Sequence, residues 1–236
     1  MMPRAALLVE SSAAAWRRLA IDAGRAVEQM AIDERLAEEA EPTVRVFRWP
    51  RPAISWGYRQ SPPAWIDSER VSARGIETVE RPTGGGVALH GSDLSWSVVV
   101  PHATAGRLET LMQLIGRWLT DALAAFDVAA EWDGETKQSR RVDYCLTQPS
   151  PYALMARGRK LGGLAIRRYP STWLVQGSLL VRPIPSSLEA AMPDDVADTF
   201  RRLAIDAETL AGRPLDDEAV RRALLACALP ATEEHL

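Results

Sequence analysis

Cysteine is almost missing from this chain: Cys145 and Cys227 are its two, too few and too far apart for a disulfide framework or the paired thiols of a zinc site. The expected compartment is the reducing cytoplasm, and no metal is expected. Charge of one sign is lacking too. The formal net charge of −3, from 28 basic and 31 acidic residues, sets up no global field that would recruit nucleic acid. Long apolar runs are also scarce. The N-terminal MMPRAALLVESSAAAWRRLA is interrupted by Glu10, Arg17 and Arg18 before it nears the roughly 20 residues that a membrane span needs, so neither a secretion signal nor an anchor is expected. The dinucleotide spacing GxGxxG and the phosphate loop ending in GK[ST] do not occur.

What is present suits one sizeable core: 236 residues with a hydrophobic fraction of 47%. Apolar residues recur at helical spacing from Ser11 to Ala40, predicting one long helix or two in succession, stopped by Pro42. TVRVFRWPRPAISW predicts two strands about a proline-stiffened corner, WIDSERVSARG a short helix and ETVE a strand. DLSWSVVVP alternates Leu94, Trp96 and Val98 against Ser95, Ser97 and Val99, the pattern of a half-buried strand. Residues 105–127 predict the clearest helix, covering a sheet. YALMARGRKLGGLAIRR reads as strand, Arg-Gly turn, strand, and TWLVQGSLLV as a further strand. The chain from Ser187 onward is helical in pattern. Strands framed by helices indicate α+β architecture, with a domain over 1–185 and a short helical extension over 186–236 on the same body.

Three features can carry chemistry. ERPTGGGVALH holds Gly84, Gly85 and Gly86, either a turn needing positive φ or a place where backbone lies against a ligand. Arg81 could offer such a ligand a bidentate cation, and His90 follows as a structural or ligand-facing histidine. Lys160, in GRKLGG, is by type a solvated lysine. Strand alternation sets it on the side of Gly162 and away from Leu161, so a buried Leu161 would leave Lys160 facing a ligand. Cys145 lies in the polar, proline-containing RRVDYCLTQPSPY, where Arg140, Arg141 and Lys160 could favour a nucleophilic thiolate and Asp143 would oppose it. Cys227, in RALLACAL, fits an inert cysteine of an apolar core.

The order of AIDERL with Asp33, RVFRWPRPAISWGYRQ, ERPTGGGVALH, VDYCLTQPSPYAL, ARGRKLGGLAIRR and TWLVQGSLLV resembles the biotin/lipoate protein ligase superfamily, in its lipoate-protein ligase A-like branch. The resemblance implies a class II biotin/lipoate ligase-like catalytic domain, with a central mixed, largely antiparallel sheet flanked by helices. Arg81, Gly84, Gly85, Gly86, His90, Gly163 and Ala165 would then hold an octanoyl or lipoyl group, and Lys160 would meet the activated carbonyl. Cys145 resembles the catalytic cysteine of the octanoyltransferases in this superfamily. Those enzymes take an acyl group as a thioester, from acyl carrier protein or an acylated H protein of glycine cleavage, and pass it to a lysine of a lipoyl domain or of the H protein with no cofactor. The alternatives are an ATP- and magnesium-dependent lipoate ligase working through an acyl-adenylate, and a noncatalytic module that binds lipoyl domains. The local basic patches RRVDY, GRKLGG and AIRRYP would dock acidic carrier domains. The pattern departs from the family at Leu146, where phenylalanine is usual, and at Gly91, where aspartate usually follows the histidine. It departs again at Leu164 and Ile166, where serine and glutamine are usual on either side of the matching Ala165, and in Gln176-Gly177-Ser178, which lacks a histidine.

Overall fold

A computed structural model describes residues 16–66, 68–134, 144–147, 150–227 and 229. The chain begins with β1 (Arg17–Leu19), α1 (Ala26–Glu39), β2 (Thr43–Arg48), β3 (Ala53–Trp56), α2 (Ser68–Ser72), β4 (Glu77–Glu80), β5 (Ala88–His90) and β6 (Asp93–Pro101). It continues through α3 (His102–Ala105), α4 (Leu108–Ala124), β7 (Glu131–Asp133), β8 (Ala153–Ala156), β9 (Arg159–Arg168) and β10 (Thr172–Leu180). Four helices follow: α5 (Ser186–Glu189), α6 (Asp194–Leu203), α7 (Ala207–Ala211) and α8 (Asp217–Cys227). The larger sheet runs β1-β2-β6-β10-β9-β8-β7, antiparallel except for the β1/β2 pair, and a smaller sheet runs β4-β3-β5. The fold is α+β with a central mixed sheet.

One face of the large sheet makes the main core. Leu94, Trp96 and Val98 of β6 line up with Val44 and Val46 of β2 and with Val175 and Leu179 of β10. Leu111, Met112, Ile115, Trp118 and Leu119 of α4 cover them at helical spacing, with α8 beside. Each such aliphatic side chain contributes about 1.5–3 kcal/mol by leaving water. The helix sits close because residue 116 is glycine: a Cβ there would stand 2.4 Å from the Trp132 ring.

The opposite face carries Asp93, Ser95 and Ser97 of β6 and Gln176 and Ser178 of β10, all buried. β6 is therefore enclosed on both faces rather than half-buried, because α1 packs over its polar side. Asp33 of α1 supplies the polar partners: its carboxylate takes Arg45 Nη1 at 2.7 Å, Ser97 Oγ at 2.9 Å and Gln176 Nε2 at 2.7 Å. Asp33 and Arg45 are both fully buried.

Two boundaries differ from expectation. The N-terminal helix starts at Ala26, after strand β1, and ends at Ala40 in left-handed conformation two residues before Pro42; residues 11–15 of the expected helix lie outside the described residues. The helix expected over 105–127 is α4 with shorter ends, Leu108–Ala124; Ala105 belongs to the preceding α3, parted from it at Gly106. Small residues at helical spacing carried the first expectation, yet Arg17–Leu19 pairs with β2, a long-range partner that local periodicity does not register. The proline corner at Pro50 and Pro52 sends β2 and β3 into different sheets, and this opens the cleft between them.

Candidate active site

The glycine triplet bridges β4 and β5 and is held from behind. Tyr58 N donates to Thr83 O at 2.8 Å, and Thr83 Oγ1 donates to Gln176 Oε1 at 2.7 Å, tying the loop to the Asp33 network. Arg81 is buried, and its Nη2 donates to the carbonyls of Gly84 and Gly86 at 2.6 and 2.7 Å while Nη1 reaches Ser55 Oγ at 3.3 Å. The expected ligand-facing cation is thus turned inward as a clamp on its own loop. Gly85 takes φ of +86°, and a Cβ on it would stand 2.9 Å from that guanidinium. Nothing lies within 4 Å of a Cβ built on Gly84, so that glycine borders open space. Burial lowers the pKa of Arg81, and the neighbouring Cys145 opposes the shift.

His90 is fully engaged. Its Nε2 is 2.8 Å from Ser55 Oγ, its Nδ1 is 2.9 Å from Asp93 Oδ2, and its ring stacks on Trp49 at 4.1 Å between centroids. Asp93 also accepts from Gly91 N, Ser95 Oγ and Ser178 Oγ. Burial alone would raise its carboxyl pKa, but His90 and these donors hold it below the usual carboxylate value. Asp93 thus accepts from the Nδ1 side of the ring, and the Nε2 side faces the Ser55 hydroxyl. Asp93, at the start of the next strand, is the carboxylate that meets His90 and the backbone of Gly91.

Cys145 lies in a turn whose backbone is pinned: Cys145 N donates to Val87 O at 2.8 Å, just past the glycines, and Leu146 beside it is 1% exposed in a second apolar cluster. Leucine fills that anchoring role as a large apolar side chain. Lys160 arrives from β9 through a β-bulge: Leu154 pairs with Gly162 and Met155 with Lys160, leaving Leu161 as the extra residue. The bulge turns Leu161 into the main core and Lys160 onto the same side as Gly163, rather than that of Gly162 as strict alternation predicts. A Cβ built on Gly163 would stand 3.1 Å from Cys145 Sγ and 3.2 Å from Lys160 Cε. Lys160 is 3% exposed, and its Nζ donates to Ser150 Oγ at 2.6 Å. Burial lowers its pKa, against the charges of Cys145 and Asp133.

Two cavities meet at Cys145, Leu164 and Ala165. The inner one, about 390 Å³ with its mouth, runs past Arg81 and Gly163 to Met30, Phe47, Trp49, Ser95 and His90. The outer one, about 740 Å³, is walled by Gly84, Gly85, Gly86, Ser150 and Tyr152. The structure therefore gathers all nine sequence-picked residues, with Lys160 behind the thiol. Sequence reasoning missed Ser55, Asp93, Trp49 and Ser150: Trp49, Ser55 and Ser150 stand inside the matched segments without being singled out, Asp93 lies outside them, and Ser55 and Asp93 become visible only through their bonds to His90. Arg140, Arg141 and Asp143 lie outside the described residues. Cys227 is exposed at the end of α8 rather than in the core. GRKLGG offers no docking patch through Lys160, which is buried. In AIRRYP, Arg167 stacks on Tyr58 and Tyr169 and donates to Pro82 O at 2.9 Å. Among the described residues no helix is long and apolar enough to cross a membrane.

Comparison with known proteins bears on this geometry. Residues 24–227 match the lipoyl protein ligase A/B catalytic domain family. The octanoyltransferase LipM of Kyrpidia tusciae is 32% identical over 230 residues, 89% of this chain and 84% of that protein. The octanoyltransferase LipM of Symbiobacterium thermophilum is 36% identical over 179 residues, 70% of this chain and 65% of that one. Among solved structures, lipoate-protein ligase A bound with ATP superposes with a TM-score of 0.74 at 21% identity, covering 91% of this chain and 84% of that one. The bi-partite lipoate protein ligase of Thermoplasma acidophilum, described with its E2 lipoyl domain, gives 0.69 at 19% identity, covering 88% and 79%. At those identities the structural likeness establishes the fold.

Proposed function

Since this chain belongs to the lipoyl protein ligase A/B catalytic domain family, we propose that it is an octanoyltransferase: it takes an octanoyl group from a carrier-protein thioester onto Cys145 and passes it to a lysine of a lipoyl domain. The observation that carries the reading is the convergence of the Cys145 thiol and the Lys160 side chain beside Gly163, at the junction of the two cavities.

The mechanism follows from that placement. The acyl tail lies in the inner cavity, whose floor of Ser95, Ser178 and Gln176 has its polar atoms already bonded within the protein, so no buried group is stranded when the tail displaces water. Cys145 attacks the donor carbonyl as a thiolate, its proton held by Lys160; the bond to the carrier sulfur breaks, and the carrier leaves as a thiol by taking that proton, which leaves Lys160 neutral. Arg81 and Lys160 are both buried beside the thiol, and negative charge at Cys145 favours the charged form of each against the cost of burial. The Lys160 ammonium also stabilises the tetrahedral oxyanion, a role whose loss costs on the order of 3 kcal/mol. The lysine of the lipoyl domain enters from the outer cavity and converts the thioester to an amide, with no cofactor.

The test follows the covalent intermediate by intact mass after mixing with octanoyl carrier protein or octanoylated H protein. An octanoyl increment on Cys145, absent in Cys145→Ser, and its passage to an apo lipoyl domain are the expected results. Full transfer by Cys145→Ser, or product formed only from free octanoate with ATP, would replace this reading with adenylate-forming ligation. Binding of acylated carrier without any product would make the chain a binding module.

A further inference from the structure

The amine that resolves the thioester must lose a proton, and Lys160 is the buried base nearest the thiol, yet the side from which that amine arrives does not reach it. Lys160 is 3% exposed and lines neither cavity, whereas Cys145 lines both. The side chain that joins the two places is Ser150. It lines the outer cavity, and its Oγ is 2.6 Å from Lys160 Nζ. We propose that Ser150 is a proton relay between the acceptor amine and Lys160, and so a further catalytic residue of the second half-reaction. The inference rests on the transfer reading and specifies where the acceptor lysine stands: in the outer cavity, against the Ser150 hydroxyl.

The step balances without another reactant. The acceptor amine, as its free base, attacks the thioester carbon; the C–N bond forms and the C–S bond breaks. The surplus proton on nitrogen passes to Ser150 Oγ while the hydroxyl proton of Ser150 passes to the neutral Lys160 amine. Cys145 leaves as a thiolate and recovers that proton from the Lys160 ammonium. Thioester and amine become amide and thiol. Burial, which lowers the pKa of Lys160, enlarges the neutral fraction that can receive the proton. The 2.6 Å contact serves both states, since the serine oxygen accepts from the ammonium and its hydroxyl donates to the amine.

The experiment separates the half-reactions in the full-length chain. Wild type, Ser150→Ala and Ser150→Thr are loaded with octanoyl carrier protein, and the acyl-Cys145 species is then discharged by apo lipoyl domain or by hydroxylamine, a small nucleophile whose nitrogen, once bonded to the carbonyl carbon, is acidic enough to lose its surplus proton to water without a relay. Ser150→Ala should load and react with hydroxylamine at close to wild-type rates, yet discharge to the lipoyl domain about 10²–10⁴-fold more slowly. Ser150→Thr, which keeps the hydroxyl, should restore most of the loss. Discharge of Ser150→Ala to the lipoyl domain at the wild-type rate would overturn the relay, as would equal slowing of all three reactions, the signature of a merely structural serine. Failure of wild type to form acyl-Cys145 would instead remove the transfer reading itself, and the relay with it.

Discussion

The thiol of Cys145 and the side chain of Lys160 close on the same empty spot, the place where a Cβ of residue 163 would stand, 3.1 Å from Sγ and 3.2 Å from Cε. Nucleophile and cation meet there because one residue has no side chain. Gly163→Ala should leave the fold in place, since the lysine chain can yield by a few tenths of an ångström, but it shifts the two groups against each other. Misplacement on that scale costs up to about 10²-fold in rate. Rapid-quench mass measurement of acyl-Cys145 formation, paired with thermal melts, should show slow acylation at nearly unchanged melting temperature. Wild-type acylation by the variant would mean the spacing is not critical.

How far the sequence foretold this site depends on the kind of contact. Glycines, the loop-borne cysteine and the lysine beside glycine stand out because their residue types are unusual for their places, and strands such as β6 and β10 follow from alternation. The aim of Lys160 followed only in part: it points away from the buried Leu161, but not on the side of Gly162. Alternation sets it with Gly162, and the bulge that sets it with Gly163 instead depends on how Leu154 and Met155 pair across the hairpin. Arg81 could be placed beside the glycines but not oriented, since its partners, the Gly84 and Gly86 carbonyls, are backbone atoms common to every residue. Asp93 became the partner of His90 only when the turn at Gly91 brought it back.

Lys160 should weaken the fold it serves. Burial lowers its pKa from the ordinary 10.5, with Cys145 and Asp133 opposing, so the folded chain releases this proton at lower pH than the unfolded chain does. Between the depressed folded value and 10.5 the unfolded state binds more protons, and stability rises with pH across that window. Below the folded value both states carry the proton and the penalty of burying an ammonium is present in full. Lys160→Met should therefore melt higher at neutral pH and lack the alkaline rise, while transfer falls about 10²–10³-fold. Urea unfolding at neutral and alkaline pH checks this; a variant less stable than wild type at neutral pH would contradict it.

The Asp33–Arg45 pair supports the floor of the cleft at a distance. Both side chains are fully buried, and Arg45 also bonds Gln29 and the carbonyl of Ile21 while lying 4.0 Å from the Phe47 ring centroid. Asp33→Ala strands a guanidinium and should cost about 3–5 kcal/mol. Replacing both, as in Asp33→Leu with Arg45→Met, should recover much of that stability. Activity should not return with it, because Gln176 Nε2 would still lack its acceptor and, through Thr83, the glycine loop its tether. Chemical denaturation beside transfer assays separates the two effects, and recovery of activity in the double variant would show that the tether is dispensable.

Trp49 should set the length of the acyl chain. It is fixed on three sides, by Ser95 Oγ at 2.8 Å from its Nε1, by the stacked His90 ring and by Phe47 at 5.7 Å between centroids. Cys145 stands over Gly163 of β9 and Trp49 is bonded to Ser95 of β6, with β10 between these strands. Two strand spacings span roughly 10 Å. A polypeptide extends about 3.3–3.6 Å for every three backbone bonds, so the seven carbon–carbon bonds of an octanoyl chain reach roughly 8 Å on the same geometry. Such a chain ends at the indole, and a longer one must displace it. Each further buried methylene is worth about 0.8 kcal/mol, close to fourfold in preference once the wall is removed. Trp49→Ala should thus move the preferred donor from eight carbons toward ten or twelve, with Trp49→Phe intermediate. Competition among carrier-bound acyl chains of six to fourteen carbons, read as the mixture of masses on Cys145, measures the shift. A profile that stays at eight carbons in both variants would place the end of the pocket elsewhere.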